Sequence, residues 1–144
     1  GFMSFDEKKE TELRNKGETL VLGNKSRYLT PRIIIPESGQ YLMAAYCDQE
    51  IYTGYGLMIG TPVNDDYNIK YSCALLNSSL LTFYAVEKEI LRKGNKATPH
   101  VGVRGLNAIP VPLPDKNIQN VFADLVEIIG YLKNNPKAYL LLVE

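Results

Sequence analysis

The side chains able to do chemistry are few and scattered in this chain. There is one histidine, His100, and it lies in a glycine- and lysine-rich stretch. A lone loop histidine reads more simply as a surface or contact residue than as a general base. Cys47 and Cys73 are the only cysteines, and their separation fits neither a zinc clip nor a disulfide framework. No serine or cysteine occupies a Gly-x-Ser-x-Gly elbow. Gly54-Tyr55-Gly56 lacks the third glycine and the following helix that a phosphate cradle needs, so it reads as a strand-edge bulge. Asp65-Asp66, Glu87 and Glu89 do not form a two-metal ligand set, and Glu87-Lys88-Glu89 reads as a solvated helix face. No catalytic residue and no metal site is assigned, and a nuclease or other hydrolase is disfavoured.

The remaining chemistry is that of binding. Tyrosine occurs ten times and tryptophan never, and Tyr28, Tyr41, Tyr46, Tyr52 and Tyr55 fall in or beside the expected strands. Tyrosine suits an interface because one end is apolar and the other polar. For any single tyrosine, packing on a sheet is the simpler reading. The charges are unevenly placed. Lys25, Arg27 and Arg32 lie in a stretch without acids between Thr19 and Pro36. Arg92, Lys93, Lys96 and Arg104, with His100, lie in a second such stretch between Ile90 and Pro114. Between them the balance is acidic. Solvated loops and an anion-binding surface both fit this pattern.

At 144 residues the chain is long enough for one domain with a real core. It is 45% hydrophobic and 22% charged, with sixteen basic and sixteen acidic residues. Overall neutrality counts mildly against a dedicated nucleic-acid binder, since phosphate contacts come from Lys and Arg. No apolar run approaches the roughly 20 residues of a membrane span, and no signal-peptide pattern is seen. Free thiols and a cytoplasmic location are expected.

The elements that must position these residues are organised around Leu106-Asn107-Ala108-Ile109-Pro110-Val111-Pro112-Leu113-Pro114-Asp115. Three alternating prolines hold the backbone extended and keep it out of a central ladder. Asp115 stands where a helix N-cap belongs. Ile118, Val121, Phe122, Leu125, Ile128, Ile129 and Leu132 then recur at three- and four-residue steps along a long amphipathic helix stopped by Pro136. Upstream, strands are expected at Leu20–Leu22, Arg32–Ile35, Tyr41–Tyr46, and in one or two pieces over Ile51–Ile59. A single helix is expected from about Asn68 to Gly94, with Ser78-Ser79 in its middle. The fold class is α+β: a small curved antiparallel sheet packed with a central helix, then the Pro-rich segment and the long helix. Residues 1–18, dense in both charges, read as a short exposed helix or linker from an upstream domain, stopped at Gly17. Residues 19–114 form the main domain, and 115–144 the helix and C-terminal tail.

Two stretches together carry a family resemblance. Lys70-Tyr71-Ser72-Cys73-Ala74-Leu75-Leu76-Asn77-Ser78-Ser79-Leu80-Leu81-Thr82-Phe83-Tyr84 resembles the helix of target recognition domains in restriction-modification enzymes. Leu106 to Pro114, followed by a helix with Gln119 near its start, resembles the segment that closes such domains and leads into a spacer helix. Pro31-Arg32-Ile33-Ile34-Ile35-Pro36 is similar to the opening strand of the TaqI-like C-terminal specificity domain, which is itself similar to the recognition halves of type I specificity subunits. The resemblance covers roughly Thr30 to Leu132. The family's Asn-Pro-Pro-Tyr catalytic motif is missing. Asn134-Asn135-Pro136-Lys137-Ala138-Tyr139 lacks the second proline and lies after the recognition region.

The resemblance implies a bacterial DNA-recognition fragment that is not itself an enzyme. Its parent would be an adenine-specific DNA methyltransferase or a type II restriction enzyme. The fragment would hold no cofactor, S-adenosylmethionine belonging to the parent. Its partners would be double-stranded DNA and an upstream methyltransferase domain, which flips the adenine while this domain holds the duplex. DNA contacts are expected from Asn24, Lys25, Arg27, Tyr28, Arg32, Tyr55, Lys93, Asn95, Lys96, His100 and Arg104, with the two basic stretches meeting on one face. The competing reading is a protein-interaction module. Ile118, Val121, Leu125, Ile128 and Leu132 have near-3.5 spacing and resemble a coiled-coil seam that would pair with a partner helix or a second copy.

Overall fold

The computed structural model describes residues 11–12, 14–17, 25–92 and 98–135. Its sheet is built on β1 (Arg32–Pro36), whose three consecutive isoleucines suit a pleated surface covered on both faces. β1 lies between β2 (Ala45–Cys47) and β3 (Leu57–Gly60), antiparallel to both. Ile33 faces Tyr46 on one side and Gly60 on the other. Gly60 is required by this approach, because a Cβ there would sit 2.7 Å from Cγ1 of Ile33. Ile33, Ile35 and Met58 reach the core, where they join Leu42, Leu81, Ala85, Leu91, Val101 and Ile109.

The expected strand over Tyr41–Tyr46 is shortened to β2. Its leading residues spend their backbone groups on side chains instead of a ladder. The Leu42 amide donates to Oγ1 of Thr82 at 3.2 Å, and the Asn77 side-chain amide pairs with both Ala44 backbone groups, at 2.8 and 3.2 Å. The expected strand near Ile51 is likewise reduced, to β3.

The single helix expected from Asn68 is two helices, α1 (Ile69–Leu76) and α2 (Ser79–Glu87). The break lies at the unfavourable serine pair. Ser78 is extended (ψ 144°), and its hydroxyl accepts from the Leu81 amide, which makes it an N-cap. α2 ends in a Schellman motif. Ile90 N–H bonds Ala85 O and Glu89 N–H bonds Val86 O, with Glu89 left-handed at φ 53°. Gly94, the expected stop, lies outside the described residues, as do strand Leu20–Leu22, Pro136 and residues 139–143. Of the first 18 residues, those described include helical positions 11–12 and 14–15, exposed, with Gly17 at φ +76°.

A short helix α3 (Val103–Leu106) precedes the proline segment, which runs without ladder pairing, as expected. Side chains hold its carbonyls. Tyr67 OH donates to Val111 O at 3.2 Å, and Tyr71 OH to Pro112 O at 2.9 Å. The long helix α4 (Lys116–Asn134) is capped by Asp115, whose Oδ1 accepts from the Ile118 amide at 3.0 Å, as the sequence requires.

α4 packs on α1 through Gln119 and Ala123, with Tyr71 and Phe122 edge to face at 5.6 Å. Gln119 is fully buried and satisfied at both ends. Its Oε1 accepts from Asn68 N–H at 2.7 Å, and its Nε2 donates to Asp66 O and Pro114 O at 3.0 Å each. This single side chain therefore fixes the loop before α1, the proline segment and α4 relative to one another. The 3-4-3-4 stripe lies mostly away from this contact. Ile118, Val121, Leu125 and Ile128 are exposed, by 46 to 60%. No helix among the described residues is long and apolar enough to cross a membrane.

Candidate nucleic-acid interface

β1 has two ends, and the polar residues divide between them. Thr30 and Ser38 bracket the strand, about 26 Å apart at 3.3 Å per extended residue. Arg27, which precedes the first end, is thus set apart from His100 and Arg92, which pair at the second.

At the N-terminal end, a 3-10 turn (Lys25–Tyr28) precedes β1. Arg27 is exposed there, and Tyr28 stacks on Tyr52 with ring centroids 4.9 Å apart. Tyr52 OH donates to Glu50 at 2.8 Å, and that bond is the main reason its pKa is raised. The side chain of Lys25 and the whole of Asn24 lie outside the described residues.

Arg32 corrects the sequence reading. It is fully buried, so it is not presented to a phosphate. Nη1 donates to Thr30 O at 3.0 Å, and Nη2 donates to Gln49 O at 2.6 Å and Ile51 O at 2.9 Å. Its Nε has no hydrogen-bond partner among the described residues. The guanidinium is consumed in tying the loop after β2 to the start of β1. No charge count on the sequence separates such an arginine from an exposed one.

At the C-terminal end, the chain builds a row of polar side chains. Ser38 pairs antiparallel with His100, and His100 pairs antiparallel with Arg92. The His100–Arg92 pair exchanges backbone bonds of 2.9 and 3.2 Å, and the Ser38–His100 pair is flanked by Gly39 N–H to Pro99 O and Val101 N–H to Glu37 O. Residues directly opposite in antiparallel pairs share a face, so hydroxyl, imidazole and guanidinium stand in line. Ser38 Oγ lies 3.0 Å from Nδ1 of His100, and Glu37 Oε2 lies 3.9 Å from its Nε2. Arg92 is exposed. Lys93, Asn95 and Lys96 follow directly in sequence but lie outside the described residues.

Tyr55 stands fully exposed on the turn that enters β3, where Gly56 adopts φ +84° and its carbonyl accepts from the Glu37 amide. Arg104 is exposed on α3, whose Gly105 lies against Ile90. Sequence reading missed Ser38 and Glu37 and left Arg92 off the contact list. No local pattern marks Ser38 and Glu37, because their pairing with His100 spans more than 60 positions.

Two other features bear on chemistry. An open cleft of about 420 Å³ lies between β1, β3, α1 and the proline segment. Ile33, Met58, Leu76 and Ile109 line it, and none of the expected contact residues does. Both cysteines are free and buried, and burial raises the Cys73 thiol pKa, which suppresses its reactivity. Among the described residues, no group of three or more His, Cys, Asp or Glu side chains is placed to hold a metal ion.

This sheet end presents a polar, partly basic row suited to hydrogen bonding with a ligand. Comparison with known families agrees: residues 2–111 match the model of the TaqI-like C-terminal specificity domain. The match spans most of the chain, and the chain belongs to this family. Its role is DNA specificity in restriction-modification enzymes. A search of curated proteins returned no match.

Proposed function

We propose that this domain reads the base sequence of duplex DNA for an adenine-specific methyltransferase or type II restriction enzyme whose catalytic domain, with its S-adenosylmethionine site, lies upstream in the parent chain. The observation that carries this reading is the Ser38–His100–Arg92 row. It places hydrogen-bonding side chains on one face of a sheet end. Arg27, Arg92 and Arg104 supply phosphate contacts for register, while Ser38 and His100 meet base edges. Neutral overall charge is tolerable where the catalytic domain shares the grip.

The test is binding of this chain to a mixed pool of duplex DNA across a salt series, beside an Arg27/Arg92/Arg104 triple alanine variant. The expected result is weak binding that falls steeply with salt, with the logarithmic slope shallower by about 2 to 3 in the variant. No binding at low salt overturns the reading.

A second reading rests on the exposed stripe of α4. Ile118, Val121, Leu125 and Ile128 are half exposed with heptad-like spacing, the pattern of a helix that pairs with another. Sedimentation should then show a concentration-dependent dimer that Leu125→Glu abolishes. A monomer at all concentrations removes this reading. The two roles are compatible, because the stripe and the row lie on different elements.

A further inference from the structure

We infer that His100 and Glu37 together read one G·C base pair in the major groove, with Ser38 as the positioning residue. The inference rests on the DNA-recognition reading above and assigns its chemistry.

The Ser38 hydroxyl lies 3.0 Å from Nδ1 of His100 and can either donate or accept there. Glu37 decides between the two arrangements. Its carboxylate only accepts, and it lies 3.9 Å from Nε2, so a proton on Nε2 is favoured and Ser38 donates to Nδ1. At 3.9 Å the Nε2 proton is not hydrogen-bonded to Glu37. The imidazole and carboxylate are 32% and 39% exposed. The result is one donor on an anchored ring beside a carboxylate acceptor, both reachable from solvent.

That pair complements a G·C edge. Guanine offers O6 and N7 as acceptors, and the neighbouring cytosine N4 is a donor at the end of the hydrogen-bonding row. His100 Nε2 donates to guanine, and Glu37 accepts from cytosine N4. An A·T edge fits less well, because its adenine N6 donor lies between two acceptors and a carboxylate facing it meets both. A carboxylate at this point also turns phosphate away, so the row favours bases over backbone. Arg92, next along the row at about 5 Å per strand, holds the adjacent backbone.

The test is selection of bound duplexes from a randomised library by the wild-type chain and by His100→Ala, Glu37→Ala, Glu37→Gln, Ser38→Ala and Ser38→Thr. Circular dichroism checks that each is folded. The wild type should select a motif containing a G·C pair whose preference drops about tenfold in both His100→Ala and Glu37→Ala, with other positions retained. Ser38→Ala should weaken the same position less. Ser38→Thr, which keeps the hydroxyl, should restore much of it, and Glu37→Gln, which keeps an acceptor oxygen but can also donate to Nε2, should restore less.

An unchanged motif in His100→Ala overturns the inference and leaves the DNA-recognition reading standing. So does an A·T pair at the sensitive position, or uniform weakening of every position, which would mark a structural role. A wild-type chain that binds DNA without selecting any motif, or does not bind it, overturns both.

Discussion

The two ends of β1 treat the same kind of side chain in opposite ways. Arg32, at the N-terminal end, is buried and donates three hydrogen bonds to carbonyls of its own chain. Arg92, at the C-terminal end, is joined to His100 through its backbone pairing and is exposed. Gln119 belongs with Arg32, since it spends every hydrogen bond on holding three segments together. His100 belongs with Arg92, with one ring nitrogen anchored and the other without a hydrogen bond. Polar groups in this domain either fix the scaffold or are held out from it. The rigidity of the first kind is what makes the second useful, because a reader must be held in place by something that does not itself read.

Arg32→Ala has the largest effect on stability, about 3 kcal/mol, because three part-buried carbonyls lose a charged donor and a fully buried side chain is removed. Arg92→Ala should cost under about 0.5 kcal/mol, as expected of an exposed side chain. Urea midpoints of the two variants compare them directly, and equal losses would break the comparison. Gln119→Leu comes next. It preserves bulk but strands Asn68 N–H and two carbonyls, and should cost about 2 kcal/mol in the same measurement.

Tyr71→Phe should lose about 1 kcal/mol by freeing Pro112 O. It also changes the pH dependence. Burial, then the neighbouring Tyr67, raises the Tyr71 pKa above its ordinary value near 10. The neutral phenol is thus the form favoured by folding. Its contribution is fully present below about pH 10 and is lost as pH rises through the higher folded value. Unfolding midpoints followed from about pH 8 upward past about pH 10 should decline less steeply in Tyr71→Phe. A change of opposite sign is Glu89→Gly, which relieves the left-handed residue that turns the chain toward Arg92. It should stabilise by about 0.5–1 kcal/mol, seen as a higher Tm.

Periodicity and local chemistry made much of the scaffold legible. The Asp115 cap, the α4 helix, the isoleucine strand and the extended proline segment all follow from interactions within a few residues. The Ser78 break was half legible. The serine pair was noticed as awkward, but whether it bends a helix or caps a new one depends on Asn77 and Thr82 bonding to Ala44 and Leu42, more than 30 positions away. The same two side chains shortened the strand expected at Tyr41, by occupying backbone groups a ladder would have used.

The site was less legible. Acid-free neighbourhoods mark Arg27, Arg32, His100 and Arg104 alike, yet exposure separates them, and exposure is a property of the packed chain. Ser38 and Glu37 carry no signal in sequence, since serine and glutamate near a turn are commonplace. Local sequence by itself determined the elements, their caps and the absence of catalytic motifs, because those rest on near-neighbour sterics and hydrogen bonding. Tertiary structure alone decided that Ser38, His100 and Arg92 stand in one row and that Arg32 is withdrawn from solvent. The reason is that pairing residue 38 with 100 closes a loop of about 60 residues, whose closure cost is met by packing of the whole core rather than by anything nearby.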